Sequence, residues 1–433
     1  MPAKGAHVDV IVGGGIVGLS IAWRLARSGR PVTVVDPAPA SGASYAAAGM
    51  LAPVSEVTYT ETPLLRLGMA SLRRWPSFAA ELAEDAGLTG NAGLTRNSGP
   101  TGDAEPTGDA GSPHGGLGAI GDGARLGLDL RADGTLDVAF GADDLATLDE
   151  LATYMEKLGL PVERLTGREC RRLEPMLAPS VRGGLLAPED AWVDPRRVTA
   201  ALLAALDRLH VPLVRARAAG LLRDRDGSVA GGSVAGDRVV GGRVVGVRLE
   251  PPPGGPEPPS EIRAERVVLA AGAWSGELAE VPVRPIKGQI MRLRSPQPLL
   301  SRCVRGTVHG SYVYLVPRGD GELVVGATQE ELGFDTRVTA GGLYELLRDA
   351  RELVPGVTEL EVADVVAGLR PGTPDNVPII GPSGTPGLDL ATGHYRGGVL
   401  LAPLTAALMV GDLGGEEGEL AALCSPGRFQ EIS

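Results

Sequence analysis

Cysteine is scarce: Cys170, Cys303 and Cys424 are all that 433 residues carry, far apart, with no CxxC and no metal-ligand spacing. That argues against a disulfide framework, leaves no metal site to predict, and suits buried thiols in a reducing cytoplasm. Aromatic side chains are only 3% of the chain, so each Tyr and Trp has to be placed individually. Histidine is also rare, and His309 and His394 are isolated, again without ligand spacing. No apolar run approaches the ~20 residues of a membrane span. The opening MPAKGAHVDV has no signal-peptide h-region and enters a strand almost at once, so a cytoplasmic protein off the membrane is expected. Positive charge is outnumbered, and the net charge of −12 argues against nucleic acid or anionic membrane as the main partner.

What is present begins at residue 8 with VDVIVGGGIVGLSIAWRLARSGRPVTVVD. A β-branched run (Val8, Val10, Ile11, Val12) reads as a buried parallel strand. It leads into Gly13, Gly15 and Gly18 at GxGxxG spacing, then an apolar helix pattern (Ile16, Leu19, Ile21, Ala22, Leu25, Ala26), Gly29, and a second strand at 31–35 ending in Asp36. Gly13 permits the tight turn, Gly15 lets a pyrophosphate approach the backbone, and Gly18 lets helix and strand pack closely. The helix N-terminus, with Ile16 and Val17 in its first turn, offers N–H groups and partial positive charge to phosphates. Asp36 stands where a carboxylate accepts a ribose hydroxyl. A lone GxGxxG is weak. Strand, turn, helix, strand and acid in order point to dinucleotide binding, against the plainer reading of a glycine loop joining strand to helix.

The rest alternates strand and helix signals around three biased segments. Residues 86–124 are low-complexity, with near-repeats PTGDAEPTGDAG, and read as a disordered insertion at about 88–124. A Gly/Val patch at 227–247 reads as an extended hairpin, and PPPGGPEPPS (251–260) as a surface connector. Helices are expected at 143–159 and at 194–209, the latter with Asp194 as N-cap. YVYLVPRGDGELVVGAT (312–328) reads as a hairpin, and 387–413 as a short strand, a glycine turn and a helix. The summary is an α/β chain, doubly wound, with an interleaved antiparallel domain.

Three long blocks carry a resemblance: SGASYAAAGMLAP (41–53), AGLRPGTPDNVPIIGP (367–382) and ATGHYRGGVLLAP (391–403). With weaker support from RVVLAAGAWS, VRPIKGQ and YLVPRGDGELVVGAT, the chain resembles the glycine oxidase family of thiamine thiazole biosynthesis. That family lies in the D-amino-acid oxidase/sarcosine oxidase superfamily. The resemblance implies FAD. It implies a Rossmann-like FAD-binding domain of glutathione-reductase type (1–85, 160–283 and 362–433) and an α+β antiparallel-sheet substrate domain (86–159 and 284–361). It also implies oxidative deamination of glycine with O2 reduced to hydrogen peroxide, a link to thiazole synthase, and a homotetramer.

The cofactor residues so implied are Gly13, Gly15, Ile16, Val17, Gly18, Asp36, Ser44, Ala48, Gly49, Met50 and Ala219, with His394, Tyr395, Gly397, Gly398, Val399 and Leu400 in the second glycine turn. Arg370 matches the arginine that binds the substrate carboxylate, where a guanidinium fork suits a carboxylate. Without the match it reads as a partner for Glu359, Glu361 or Asp364. Tyr314 matches a tyrosine bonding the same carboxylate, and Tyr312, on the same strand face, is a substitute. Arg396 matches a position whose carbonyl orients the amine. Gln329 departs from the family's apolar residue, often Met, on the amine side of the pocket. That keeps a sarcosine or D-amino-acid oxidase or dehydrogenase open as the alternative. Lys287 has two readings, a flavin-side lysine aiding the reaction with O2 or a surface or interface lysine, and the second is favoured. A flavin protein without turnover and an NAD(P)-dependent dehydrogenase are the remaining rivals.

Overall fold

The computed structural model describes residues 8–88, 127–224, 234–235, 238–239, 242–251, 259–308, 310–415 and 417–432. Nearly all of the insertion expected at 88–124, much of the 227–247 patch, most of 251–260, and His309 lie outside the described residues.

Strand β1 (Asp9–Val12) is buried at every position and pairs in parallel with β2 (Val32–Val35) on one side and with Arg266–Leu269 on the other. Such a strand has no solvent face, which is why its sequence does not alternate. Helix α1 (Ile16–Arg27) returns between β1 and β2, burying Ile16, Leu19, Ile21, Trp23 and Leu25. Arg24 and Arg27 sit in its last turn, where cations favour the helix dipole. Gly29, at φ +81°, ends it, and the Arg30 amide reaches back to the Leu25 carbonyl at 3.0 Å. The sheet has six strands: Ile379–Pro382, Leu388–Thr392, Arg266–Leu269, β1, β2 and Leu213–Val214. All are parallel except Ile379–Pro382. Helices Thr62–Asp85, Pro195–Arg208 and Ala402–Val410 pack with α1. Asp194 caps its helix by accepting from the Arg196 amide at 2.9 Å.

The second sheet has eight strands: Glu361–Gly372, Arg284–Arg294, Glu322–Gly326, Ser311–Pro317, Cys303–Val308, Thr135–Ala139, Gly183–Ala187 and Glu163–Thr166. This differs from the boundaries read off the sequence, which assigned 160–283 and 362–433 whole to the dinucleotide domain. Gly183–Ala187 pairs with Thr135–Ala139, and Glu361–Gly372 runs antiparallel to Arg284–Arg294 from Arg284↔Gly372 to Arg294↔Glu361. These are long-range pairings, and local pattern carries no information about which distant strand will be the neighbour. The hairpin at 312–328 forms as Ser311–Pro317 against Glu322–Gly326. Among the described residues no helix is long and apolar enough to cross a membrane.

Candidate active site

A cavity of about 500 Å³ lies between the two sheets. It is bordered on the dinucleotide-sheet side by Gly13, Gly15, Ile16, Val17, Asp36, Ser44, Ala48, Gly49, Met50, His394, Tyr395, Arg396, Gly398 and Val399, and on the other by Tyr314 and Arg370. The two glycine turns, some 380 residues apart in sequence, therefore share one cavity with the arginine and the tyrosine.

Four of the expected residues do not border it. A Cβ on Gly18 would run into the Gly13 carbonyl, so this glycine serves helix–strand packing. Ala219 does not meet the cavity, while its strand neighbours Arg217 and Ala218 do. The Gly397 amide is turned onto the His394 carbonyl at 2.9 Å within a short 3-10 turn, Tyr395–Gly397. Leu400 packs behind that turn, its carbonyl accepting from Trp75 Nε1 at 3.0 Å and Ser71 Oγ at 2.6 Å.

The dinucleotide side carries the donors and gaps an anionic diphosphate needs. Gly15 is the extended N-cap of α1, with no acidic residue in the first turn, so the positive helix end faces the cavity with only Ser44 against it. Gly13, at φ +118°, turns the chain so closely that a Cβ would meet the Ala270 carbonyl. A Cβ on Gly15 would meet only Ser44 Oγ, at 3.2 Å. Ser44 Oγ accepts from the Ile16 amide at 2.9 Å, which leaves its own proton for a further acceptor. Asp36 accepts from the Gly14 and Ala38 amides, both at 2.7 Å. Burial pushes its carboxyl pKa up while those amides and Arg215 hold it down. Its remaining lone pairs can take a ribose hydroxyl. His394 is buried beside Thr405, 2.9 Å from Oγ1, and burial alone lowers its pKa to about 3, so the imidazole is neutral.

On the other side the Arg370 guanidinium lies across Gly288, donating to the Thr328 carbonyl at 3.2 Å and the Lys287 carbonyl at 3.4 Å. Among the described residues no carboxylate pairs with it. Asp364, one of the plainer partners, pairs instead with Arg196 at 2.6 Å. Arg370 thus keeps donors for an incoming carboxylate. The Tyr314 hydroxyl is pushed up to about 12 by burial, with Arg370 opposing, and remains a proton donor. Sequence reading missed two residues that make this arrangement fit. A Cβ on Gly288 would stand 2.5 Å from Arg370 Cζ, and one on Gly326 would stand 2.5 Å from Tyr314 Cε2. Glu56, also missed, borders the cavity, and its charge acts on Tyr314. None of the three follows from a local pattern, since each matters through a neighbour distant in sequence.

Three further expectations are corrected. Tyr312 does not border the cavity; its hydroxyl donates to Asp137 at 2.6 Å, and Arg305 lies 4.4 Å over its ring. Gln329 is exposed and outside the cavity lining, where its Oε1 accepts from the Tyr395 hydroxyl at 3.2 Å. Lys287 is neither on the surface nor beside the cavity. Gly288 and Ile290 face the cavity, so strand alternation turns Lys287 to the opposite side. There it is fully buried, with Asp335 at 3.2 Å and Glu330 at 3.4 Å.

The family described as DAO, FAD dependent oxidoreductase, matches residues 10–99 and 122–411. A bifunctional protein ThiO/ThiG from a Nostoc species is 34% identical over 401 residues, 92% of this chain and 51% of that protein. The chain thus spans about half the length of the curated relatives it first matches. A glycine oxidase from Geobacillus kaustophilus is 31% identical over 93% of this chain and 91% of its own. The crystal structure of glycine oxidase from Geobacillus kaustophilus superposes with a TM-score of 0.73, at 30% identity and 94% coverage of both chains. The chain belongs to the FAD-dependent oxidoreductase family, DAO.

Proposed function

We propose that this chain is a glycine oxidase, converting glycine, water and O2 to glyoxylate, ammonia and hydrogen peroxide. The observation that carries this is Arg370, free of a carboxylate partner among the described residues, facing the cavity shared by both glycine turns. The glycine oxidases among its relatives support the choice of substrate. Arg370 grips the carboxylate through its unused donors, and the Tyr314 hydroxyl donates to the same group. Tyr314 stays protonated across the working range because burial holds its pKa near 12. The Arg396 carbonyl orients the amine, while its guanidinium is held at the rim by Glu61 at 3.2 Å. The α1 N-terminus, Ser44 and Asp36 hold the FAD diphosphate and ribose. The Tyr395–Val399 turn, which borders the same cavity, would lie against the flavin ring. Bound there, FAD supplies the two-electron acceptor, and the chain's own contribution is positioning and electrostatics.

Gln329, the residue that kept a secondary-amine or D-amino-acid reading open, lies outside the lining, which favours glycine. The bifunctional relatives support delivery of the imine to a thiazole synthase. A homo-oligomer in a reducing cytoplasm completes the reading; it suits three buried free thiols, with burial raising Cys170 to about 11 and Cys303 and Cys424 to about 12. The test is an anaerobic spectral titration of purified protein with glycine, sarcosine, D-alanine and D-proline. Bleaching of the flavin most readily by glycine, with oxygen uptake on aeration, is expected. No bleaching by any of the four at millimolar concentration overturns the proposal.

A further inference from the structure

The rim of the cavity carries a bond that none of the roles above uses. Tyr395 borders the cavity and Gln329 is exposed outside it, and the Tyr395 hydroxyl donates to Gln329 Oε1 at 3.2 Å. A hydrogen bond with one partner inside and one outside marks the edge of the opening. It lies at the Arg370 end, because Thr328, the neighbour of Gln329, supplies the carbonyl on which Arg370 rests.

The two sides of this bond are built differently. Residues 328–330 are pinned from behind. Lys287 and Glu330 exchange backbone bonds at 2.8 and 3.0 Å, and the Glu330 carboxylate accepts from Thr328 Oγ1 at 2.6 Å and Gln289 Nε2 at 2.7 Å. Lys287 Nζ, fully buried, adds its charge at 3.4 Å. The Tyr395 side is strained. Tyr395 is a bulky residue at φ +46°, next but one to Gly393 at φ +75°. A side chain with that backbone conformation persists only where its surroundings hold it. Among the described hydrogen bonds, the one to Gln329 is the only one the Tyr395 hydroxyl makes.

We propose that Tyr395 and Gln329 form a specificity-determining clasp across the mouth of the substrate chamber, limiting it to the smallest amino acids. The inference rests on the glycine oxidase reading and deepens it. Bulk added at N or Cα of a substrate held on Arg370 presses against this rim. A Met at 329 has no acceptor to match, so the clasp belongs to this chain's own pairing of residues.

The test compares the holoenzyme with Tyr395→Phe, Gln329→Met and the double variant. Two readouts are used: the ratio of kcat/KM for D-alanine to that for glycine, and amide hydrogen exchange of 394–399. Loss of one hydrogen bond predicts a rise of about fivefold in the ratio and a comparable acceleration of exchange in each single variant. The double variant is expected to match the singles, since both remove the same bond. Unchanged ratio and exchange in both single variants overturn the clasp, as do additive effects in the double. Exchange is measured whether or not glycine is turned over. A wild type that no amino acid reduces, with exchange responding as predicted, overturns the glycine oxidase reading and with it the specificity claim, while the clasp itself stands.

Discussion

Gly288→Ala is a one-methyl perturbation aimed at the carboxylate site without replacing any side chain that meets substrate. The added Cβ would stand 2.5 Å from Arg370 Cζ, so one of the two must move. Gly288 is fixed in mid-strand, with neighbours Gly326-side and Gly368-side ladders on either flank (Gly288↔Gly368, Ile290↔Gly326). The Arg370 guanidinium is the free end of a flexible side chain and gives way. Alanine is an ordinary strand residue and Gly288 lies outside the positive-φ region, so folding should be unharmed. What is lost is the aim of a charge-assisted pair worth about 1.5–3 kcal/mol, or about ten- to a hundredfold in kcat/KM for glycine. The loss should fall mainly on KM, since the carboxylate is bound in ground and transition states alike. Steady-state oxygen uptake measures it, with the flavin spectrum and thermal unfolding as controls for cofactor retention and fold. A Gly288→Ala protein with wild-type KM, normal flavin content and unchanged Tm would refute the claim that Arg370 must lie across residue 288 to work.

Three other outcomes follow from the same geometry. Arg370→Ala should raise the glycine KM by roughly one to two orders of magnitude while FAD stays bound, and an unchanged KM removes Arg370 from the site. Ser44→Ala takes the acceptor from the Ile16 amide at the open end of α1. It should weaken FAD retention about five- to tenfold on dilution, the cost of about one hydrogen bond; undiminished retention removes Ser44 from the diphosphate site. His394 is buried neutral, its pKa lowered from 6.5 to about 3. Below pH 6.5 the unfolded chain takes up a proton that the folded chain refuses, so stability falls as pH drops from about 6.5 towards 3, at up to ~1.4 kcal/mol per pH unit. Urea unfolding at pH 7 and pH 5 should show a shallower loss for His394→Asn than for the wild type, and equal losses would contradict the buried neutral imidazole.

The βαβ unit was legible because every one of its signals is local. The β-branched run, the glycine spacing, the helical period and Asp36 all lie within 29 residues, and backbone sterics act over that range. The hairpin around Gly321 and the cap at Asp194 were legible for the same reason. Legibility failed where a residue's meaning depends on a distant partner. Nothing near Lys287 says that strand alternation will turn it away from the cavity onto Glu330 and Asp335. The Ala219 expectation missed by one residue, since Arg217 and Ala218 border the cavity and Ala219 does not.

By itself the amino-acid order determined that a tight glycine turn between strand and helix forms at 13–18 and that a second glycine turn forms near 393–398, since glycine's backbone freedom and apolar periodicity are properties of short segments. Only the tertiary structure decided that these turns meet over one cavity, that Gly288 and Gly326 make room for Arg370 and Tyr314, and that Tyr395 reaches Gln329 across the rim. Those are contacts between residues tens to hundreds of positions apart, and their free energy exists only once two sheets have packed and excluded the water between them.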